Sequence, residues 1–426
     1  MSTVTTAAPN VAERQPVRRL RRGHPLGVLR SRQFRKYWLA GFFSFIGFAT
    51  QMLARGWLMN DLTHSPFMVA MVQAAMMAPM FFLSLVGGVL ADRVDRKQLT
   101  IAADVASLGG YALLAMLVVT SVVQPWHIIA ISVWNGIGFA LSMPGRQALV
   151  SSVVHREQLR TAVGLAATTF NSSQIVGASV AGLMIASIGT GWTFAASALV
   201  MLPAIALYVS LKPNHMPKRV GPPESIMTNL RVGLRYTAAD PTLRLLMLGA
   251  LVIATTVGPF QALLPVFVTD VYNLTGGALG IMVLVAGIGS LTGSIAILSI
   301  GGRVPHERVE ILFGLIAAVA LIGFALSPWY PLSVALVGIT AFAMTSFMVS
   351  NMTVVQVVVP DSLRGRVMSV RFLVIGCQPL GAAAIGAAAE VWGPPTGVAL
   401  VAGIGALAFL VVQITGKAAG HKAPVA

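Results

Sequence analysis

The chain has 426 residues, of which 56% are hydrophobic and only 10% are charged, and its mean hydropathy is +0.81. Soluble proteins carry about a quarter charged residues, so this composition excludes a soluble enzyme and a disordered chain. The single cysteine, Cys377, excludes a disulfide framework and a multi-cysteine metal site, and we expect neither a metal nor a cofactor. What the net charge of +16 means depends on where the basic residues lie.

The N-terminal residues 1–36 are polar and basic and lack the apolar run of a secretory signal peptide. Twelve apolar runs follow, each long enough for a membrane-spanning helix, which needs roughly 20 residues. The runs lack the alternating pattern of a transmembrane strand, so we predict helices. The predicted spans are residues 37–59, 66–90, 98–121, 126–149, 161–189, 192–211, 243–269, 277–300, 309–328, 331–358, 366–390 and 396–415.

The distribution of charge predicts the orientation of these spans. If the N-terminus is cytoplasmic, the cytoplasmic tails, loops and adjoining inner ends of the spans hold every Lys and Arg except Arg55, whereas the opposite side holds Asp61, Asp270 and Glu390. Basic residues concentrate on the cytoplasmic side of membrane proteins, so we expect both termini to be cytoplasmic. The basic excess therefore indicates orientation and contact with anionic lipid, and we expect no nucleic-acid partner.

A polar stretch divides the spans into two sets of six. It begins KPNHMPKRVGPPES, which is linker composition. Ile226, Leu230 and Leu234 then recur at helical spacing, which favours a short amphipathic helix on the inner surface over a flexible loop. The predicted organisation is a basic tail (1–36), a six-helix bundle (37–211), a central loop with the amphipathic helix (212–242), a second six-helix bundle (243–416) and a tail (417–426).

The two halves are related in sequence. HREQLRTAVGL, from His155, aligns without gaps with VPDSLRGRVMS, from Val359, at an offset of 204 residues. Because each half has six spans, both copies enter the membrane in the same orientation, which is a recognised transporter plan. The matched pairs are Leu159 with Leu363, Arg160 with Arg364, Gln174 with Gln378, and Gly177, Gly182 and Gly189 with Gly381, Gly386 and Gly393.

The segment GGVLADRVDRKQLT, between the second and third spans, resembles the loop signature G-x-x-x-D-R-x-G-R-K of the major facilitator superfamily. Asp95 replaces the second glycine of that signature. Four further stretches are similar to the superfamily's exporters of drugs and siderophores, and the likeness covers nearly the whole chain. They are LTHSPFMVAMV, PGRQALVSSVVHREQLRTAVGL, GLRYTAADPTLR and VVVPDSLRGRVMS.

The resemblance implies an all-α membrane protein with twelve transmembrane helices in two pseudo-symmetric six-helix bundles. It implies a monomer in the bacterial inner membrane that exports amphipathic small molecules by alternating access in exchange for protons. Ala178 and Ala181 depart from the G-P-x-x-G-G motif of many antiporters, which weakens the antiport inference. An uncoupled facilitator or importer is the alternative. A membrane-embedded enzyme or receptor is more remote, since the chain lacks the catalytic and nucleotide-binding motifs.

The resemblance also implies a latch at the inner ends of the bundles. Asp92 ends the second span, where its carboxylate can face the N-terminus of span eleven and be stabilised by the helix dipole. The alternative is a positive-inside cluster with an aspartate that ends a helix. The predicted gate and latch residues are Gly88, Asp92, Arg93, Arg96, Lys97, Arg146, Arg364 and Arg366.

Polar side chains within spans normally face protein or a cavity, and we expect about half of those in this chain to line the cavity. Arg55 either meets an anionic group there or extends outward to pair with Asp61. The remaining polar side chains make interhelical hydrogen bonds. The cavity candidates are Ser44, Gln51, Arg55, Gln73, Asn135, Asn171, Gln174, Gln261, Thr345, Asn351 and Gln378.

Proton coupling requires a titratable group within the membrane. Asp104 and Glu310, a turn or two inside spans three and nine, occupy corresponding places in the two halves and are the coupling candidates. The alternative, which we prefer for Asp104, is a structural ion pair with Arg96 or Arg146.

Overall fold

The computed structural model describes residues 25–93, 95–154, 158–212, 226–300 and 304–418, and within these ranges it contains helices and no strand. A 3₁₀ helix (Pro25–Arg30) precedes the first half, which comprises α1 (Arg32–Thr63), α2 (Pro66–Arg93), α3 (Arg96–Val119), α4 (Pro125–Val153) and α5 (Leu159–Val209). A connecting helix, α6 (Ile226–Ala239), leads to α7 (Pro241–Thr256), α8 (Gly276–Ile300), α9 (His306–Leu326), α10 (Tyr330–Val358), α11 (Asp361–Ile375), α12 (Gln378–Trp392) and α13 (Pro394–Ala418).

The described residues contain 10 helical segments that are long and apolar enough to cross a membrane. One of them, Thr161–Val209, has 49 residues. At 1.5 Å per residue it would extend about 74 Å, more than twice the hydrocarbon thickness of a bilayer. A shorter apolar helix, Pro66–Met80, occupies the place of the predicted second span. Counting it, and the two arms of α5 separately, would bring the number of segments to twelve, the number of spans that the sequence predicts.

The chain reverses direction inside α5 at Gly189, whose φ is 82°. Gly41 of α1 faces Thr169 in the first arm and Tyr208 in the second, so the two arms run antiparallel. Gly393, which separates α12 from α13, has a φ of 81°. Side chains with a Cβ disfavour this conformation, so both turns require glycine. The two glycines are matched by the internal repeat, and their backbones adopt the same conformation.

Each half forms a bundle. In the first, α1 packs on α5, α2 packs on α4, and α3 contacts both α4 and α5. In the second, α10 packs on α8 and α9, while α13 contacts α9 and α12. These two bundles are the pseudo-symmetric halves that the sequence predicts.

The bundles meet where α5 packs on α8 and where α2 packs on α12. At both contacts a glycine allows the backbones to approach closely. A Cβ on Gly182 would lie 2.5 Å from the Cα of Gly280, and a Cβ on Gly386 would lie 2.5 Å from the Cβ of Ala70. Gly182 and Gly386 are a matched pair of the repeat, so the same position of each half forms the interface. We call this end of the molecule, remote from α6, the closed end.

α6 lies at the opposite end, which we call the connector end. Leu230 and Thr237 are buried, and Gly233 packs against the backbone of Arg366 in α11. Leu234, which the sequence pattern assigns to the apolar face, is 44% exposed. The absence of a side chain at Gly233 lets the helix approach α11 on that side, so the packed face is rotated relative to the predicted one.

The first helix begins inside the predicted 1–36 tail. Ser31 caps α1 by accepting a hydrogen bond from the backbone N–H of Phe34 at 3.4 Å. Helical structure therefore continues from the apolar span into the basic segment. Residues 1–24 and 419–426 lie outside the described part of the chain.

Candidate substrate cavity and buried polar networks

Two adjoining cavities lie between the bundles, with volumes of about 310 and 70 Å³. Ligand pockets commonly measure about 300–1,000 Å³, so the larger cavity can hold a small organic molecule. Residues of α1 and α2 line only the smaller cavity, whereas residues of α10 and further residues of α8 line only the larger one. The residues that line both are Gln174, Ala178, Gln261 and Val283.

A larger groove of about 830 Å³ lies between α9 and α10. Its lining includes Leu312, Val319 and Ile339, which are apolar and exposed on the outer surface of the bundle. Apolar side chains on that surface suit contact with lipid. We therefore place the candidate site in the two central cavities.

An irregular segment of span seven brings Gln261 to the cavities. After α7 the chain continues as a 3₁₀ helix (Gly258–Leu263), a single turn (Leu264–Val266) and a π-helical turn (Phe267–Val271). Pro259 and Pro265 lie in this segment, where each removes a backbone donor. Irregular backbone at membrane depth is tolerated where it is buried in protein or lines a cavity. Gln261 is exposed to the cavity although it lies within the span.

The cavity candidates separate into two groups. Gln73, Gln174, Gln261 and Thr345 line the central cavities. Gln378 instead packs beside Gly258 in the irregular segment. The remaining candidates whose side chains the structure describes lie inside a bundle and do not line these cavities: Ser44, Gln51, Arg55, Asn135 and Asn351. The side chain of Asn171 is outside the described set.

Arg55 occupies neither of the two places that the sequence suggests. It is fully buried in the first bundle and lines neither cavity. Its Nη1 donates to the Ser132 hydroxyl at 3.3 Å, and its guanidinium lies over the Tyr111 ring, 5.6 Å from the centroid. The ring stabilises the cation by a cation–π interaction. Span one also buries Gln51, whose Nε2 donates to the Ser197 hydroxyl at 2.7 Å.

A buried ion pair joins Asp104 of α3 to Arg146 of α4. The Ser44 hydroxyl donates to the Asp104 carboxylate at 3.1 Å. Arg146 donates to the Tyr208 hydroxyl at 3.0 Å, and the Tyr37 hydroxyl donates to the Arg146 carbonyl at 3.0 Å. Of the two partners suggested for Asp104, the structure therefore selects Arg146 over Arg96.

Aromatic rings complete the surroundings of this ion pair. The Arg146 guanidinium lies 5.2 Å from the ring centroids of both Phe45 and Tyr208. The pair thus connects α1, α3, α4 and α5 in a low-dielectric interior. Removing one member of such a pair costs about 3–5 kcal/mol, because the remaining charge stays buried without a partner. This ion pair therefore contributes to the packing of four helices.

The second bundle contains a corresponding polar network. Glu310 of α9 is buried, and it lies beside Asn351 of α10 and Arg371 of α11. Arg371 donates to the Asn351 side-chain oxygen and, at 3.1 Å, to the Met348 carbonyl. Asn351 in turn donates to the Leu246 carbonyl at 3.0 Å.

Sequence reasoning missed Arg371 because it was counted with the basic residues of the preceding loop. Its position inside the predicted span 366–390 was an available signal, since a charged side chain within a span normally faces the protein interior and often serves function. The structure shows it buried beside Glu310.

The predicted latch loop is described only in part. Lys97 donates to the carbonyls of Val209 and Leu211, both at 2.8 Å, and so anchors the loop to the end of α5. Asp95, which departs from the family signature, caps α3 by accepting from the backbone N–H groups of Lys97 (2.8 Å) and Gln98 (3.3 Å). Arg364 and Arg366 lie near the start of α11, and the carbonyl of Arg96 accepts from Thr100. The surroundings of Gly88 and the side chains of Asp92 and Arg93 lie outside the described set.

Hydrogen bonds join the bundles at the closed end. Asn60 of α1 donates to the Thr269 hydroxyl at 2.7 Å and to the Asp270 carboxylate at 3.2 Å. The Glu390 carboxylate, at the end of α12, accepts from the Ser65 hydroxyl at 2.8 Å and from the Phe67 backbone N–H at 3.2 Å. A carboxylate at the N-terminus of α2 is favoured by the helix dipole. These bonds hold the two bundles together at this end.

Comparisons with known proteins agree with this architecture. The profile of the transmembrane secretion effector family matches residues 24–423. The chain belongs to this family of major facilitator superfamily transporters. It is therefore a multi-pass membrane transporter of small molecules and not an enzyme.

The chain is 24% identical over 382 residues to the enterobactin exporter EntS of Escherichia coli O1:K1, covering 88% of this chain and 85% of the relative. It is also 24% identical, over 385 residues and with the same coverage, to EntS of Shigella flexneri.

Solved structures show the same fold. The nucleoside transporter NupG superimposes with a TM-score of 0.71 at 14% identity, covering 92% of this chain and 100% of NupG. An inward-facing, unoccupied bacterial homologue of the human lysosomal transporter Spinster superimposes with a TM-score of 0.70 at 17% identity, covering 91% and 95% of the two chains. At these identities the likeness concerns the fold alone.

Proposed function

We propose that the protein exports amphipathic small molecules across the bacterial inner membrane by alternating access, in exchange for protons. The observation that carries the proposal is a cavity between two repeat-related bundles that are hydrogen-bonded together at one end. Both bundles of a single chain form the cavity, so a monomer suffices. The relatives named as enterobactin exporters support the direction of transport.

In this proposal the protein adopts the conformation in which the cavity is accessible from the cytoplasm. The basic loops and the position of α6 support assigning the connector end to the cytoplasmic side. The Glu390 and Asn60 bonds then lie on the periplasmic side, where they close the pathway. Rocking of the bundles would break these bonds and close the connector end around the Asp92 loop. The fold likeness to an inward-facing transporter supports this assignment.

The two buried networks supply the coupling groups. A proton that binds Asp104 neutralises the carboxylate and weakens its ion pair with Arg146, so the contacts among α1, α3, α4 and α5 change. Protonation of Glu310, which lies beside Asn351 and Arg371, would change the helix contacts of the second bundle in the same way. Linking the protonation of a buried acid to helix packing is what a proton-driven conformational cycle requires.

The test uses inverted membrane vesicles, in which export appears as uptake. Enterobactin and a panel of fluorescent amphipaths are supplied with and without an imposed pH gradient. We expect the gradient to raise accumulation in wild-type vesicles and to have little effect for Asp104→Asn. Gln356→Glu, an exposed change on α10, is the control for altered charge. Equal accumulation with and without the gradient would exclude antiport and leave the uncoupled facilitator.

A further inference from the structure

The central cavities carry no charge among their described lining residues. Their polar side chains are amides and hydroxyls, and no Asp, Glu, Lys, Arg or His is present among the residues that line them. The polar lining residues are Gln73, Gln174, Gln261, Ser290, Ser294 and Thr345. The rest of the described lining is apolar and includes Met52 and Leu53 of α1.

Three glutamines, supplied by both bundles, offer free hydrogen-bonding groups to the cavities. Gln73 lies on α2, Gln174 on α5 and Gln261 in span seven. The Gln73 side-chain oxygen is buried and has no hydrogen-bond partner in the described part of the chain. Gln174 and Gln261 likewise make no hydrogen bond with a described residue. Each amide presents donors and an acceptor without a formal charge.

The charged side chains that the structure describes as buried within the spans do not line these cavities. Asp104 with Arg146, and Glu310 with Arg371, lie inside the two bundles. Arg55 is fully buried in the first bundle. An ionic ligand in the central cavity would therefore lose hydration without gaining a counter-charge from the described lining residues, which is unfavourable.

We propose that the substrate is an uncharged amphipath, whose hydroxyl, phenol or amide groups bind Gln73, Gln174 and Gln261 while its apolar part fills the larger cavity. This inference rests on the proposed function of the cavity and names the substrate class. Unpaired amide groups favour a ligand with matching donors and acceptors over one that lacks them.

Exchange of an uncharged substrate for a proton moves net charge across the membrane. An uncharged molecule that leaves in exchange for one proton moves one positive charge inward. Transport is then driven by the membrane potential as well as by the pH gradient, at about 2.3 kcal/mol per charge for each 100 mV. A singly charged cation exchanged for one proton would move no net charge, so the two substrate classes differ in a measurable property.

Binding to the purified full-length protein tests the substrate class. The probes share one fluorophore and differ in charge: dansylamide is neutral, dansylcholine is cationic and dansylglycine is anionic. We expect dansylamide to bind at least about tenfold more tightly than either ionic probe, a difference of about 1.4 kcal/mol. Equal or tighter binding of an ionic probe would overturn the inference, as would the absence of saturable dansylamide binding up to about 1 mM.

Variants that introduce a charge test the site. Gln174→Glu should raise the affinity for dansylcholine by about tenfold, and Gln261→Lys should do the same for dansylglycine, because each supplies the missing counter-charge. Gln356→Glu, on an exposed position of α10, should change neither affinity. If Gln174→Glu and Gln356→Glu behave alike, the glutamines do not form the binding site.

Transport in proteoliposomes separates this inference from the proposed coupling. A pH gradient is imposed with and without a potassium diffusion potential set by valinomycin. Dansylamide transport driven by both gradients supports both proposals. Preference for the neutral probe without any response to the pH gradient would contradict proton exchange alone. Transport driven by the pH gradient but restricted to dansylcholine and insensitive to potential would contradict the neutral-substrate inference alone.

Discussion

Replacing Glu390 by alanine should shift the protein from the conformation in which the bundles are joined at the closed end toward one in which they separate there. The carboxylate makes two hydrogen bonds across the bundle interface, to Ser65 (2.8 Å) and to the Phe67 N–H (3.2 Å), and it faces the N-terminus of α2. Hydrogen bonds to charged groups contribute about 1.5–3 kcal/mol, but Glu390 is exposed, so solvent screens the interaction. We expect a shift of about 1 kcal/mol, or about fivefold in the ratio of closed to open molecules.

Distance measurement between spin labels can detect this shift. The labels are placed by cysteine substitution at Leu62 and Trp392, which are exposed at the closed end of the two bundles, after Cys377 has been replaced by serine. Glu390→Ala should increase the population with the longer separation. Asp61→Ala removes an exposed carboxylate from the same end and should leave the distribution unchanged. Equal distributions for Glu390→Ala and the parent protein would refute the role of this contact.

Two further substitutions test the internal packing through thermal unfolding in detergent. Arg146→Met should lower the free energy of unfolding by about 3–5 kcal/mol, since it leaves the Asp104 carboxylate buried without its partner. The double variant Arg146→Met with Asp104→Asn should recover part of that loss. A double variant no more stable than Arg146→Met would argue against the pair. Gly189→Ala should lower the free energy of unfolding by about 1–2 kcal/mol, because alanine disfavours a φ of 82°. Gly164→Ala, at a helical position with open space around it, is the control and should not destabilise the protein. Equal stability of the two variants would contradict the left-handed turn at Gly189.

The fold could be predicted largely from local properties of the chain. Apolar runs of sufficient length specify membrane helices because unsatisfied backbone groups are not tolerated in lipid. The repeat added the relation between the halves, and Gly189 and Gly393 share both a repeat position and a left-handed backbone conformation. These features depend on hydrophobicity and backbone sterics, which a sequence shows directly.

The site was less predictable because the polarity of a side chain does not specify whether it points into a cavity or into its own bundle. A polar side chain in a span avoids lipid, but it can satisfy that requirement in a cavity or inside its own bundle. Gln51 and Gln73 are equivalent by this criterion. Gln51 finds Ser197, a residue far away in sequence, whereas Gln73 faces the cavity. The choice depends on long-range packing.

The same limit explains the roles that sequence reasoning did not assign. Arg371 and Glu390 stand out as charged residues, yet their hydrogen-bond partners lie on other helices, which helical spacing within one span does not reveal. The Asp104–Arg146 pair was foreseen as one of two alternatives, because both residues were expected near the inner ends of neighbouring spans. Choosing between the alternatives required the relative rotation of α3 and α4.

The decisive measurement is proton-driven uptake of dansylamide into proteoliposomes that contain either the wild-type protein or Asp104→Asn. It shows whether the Asp104–Arg146 pair couples transport to protons. The account predicts that an imposed pH gradient accelerates uptake by the wild type and that the variant, although it still binds dansylamide, loses this acceleration. Equal acceleration in the two proteins would contradict the assignment of Asp104 and Arg146 as a coupling pair.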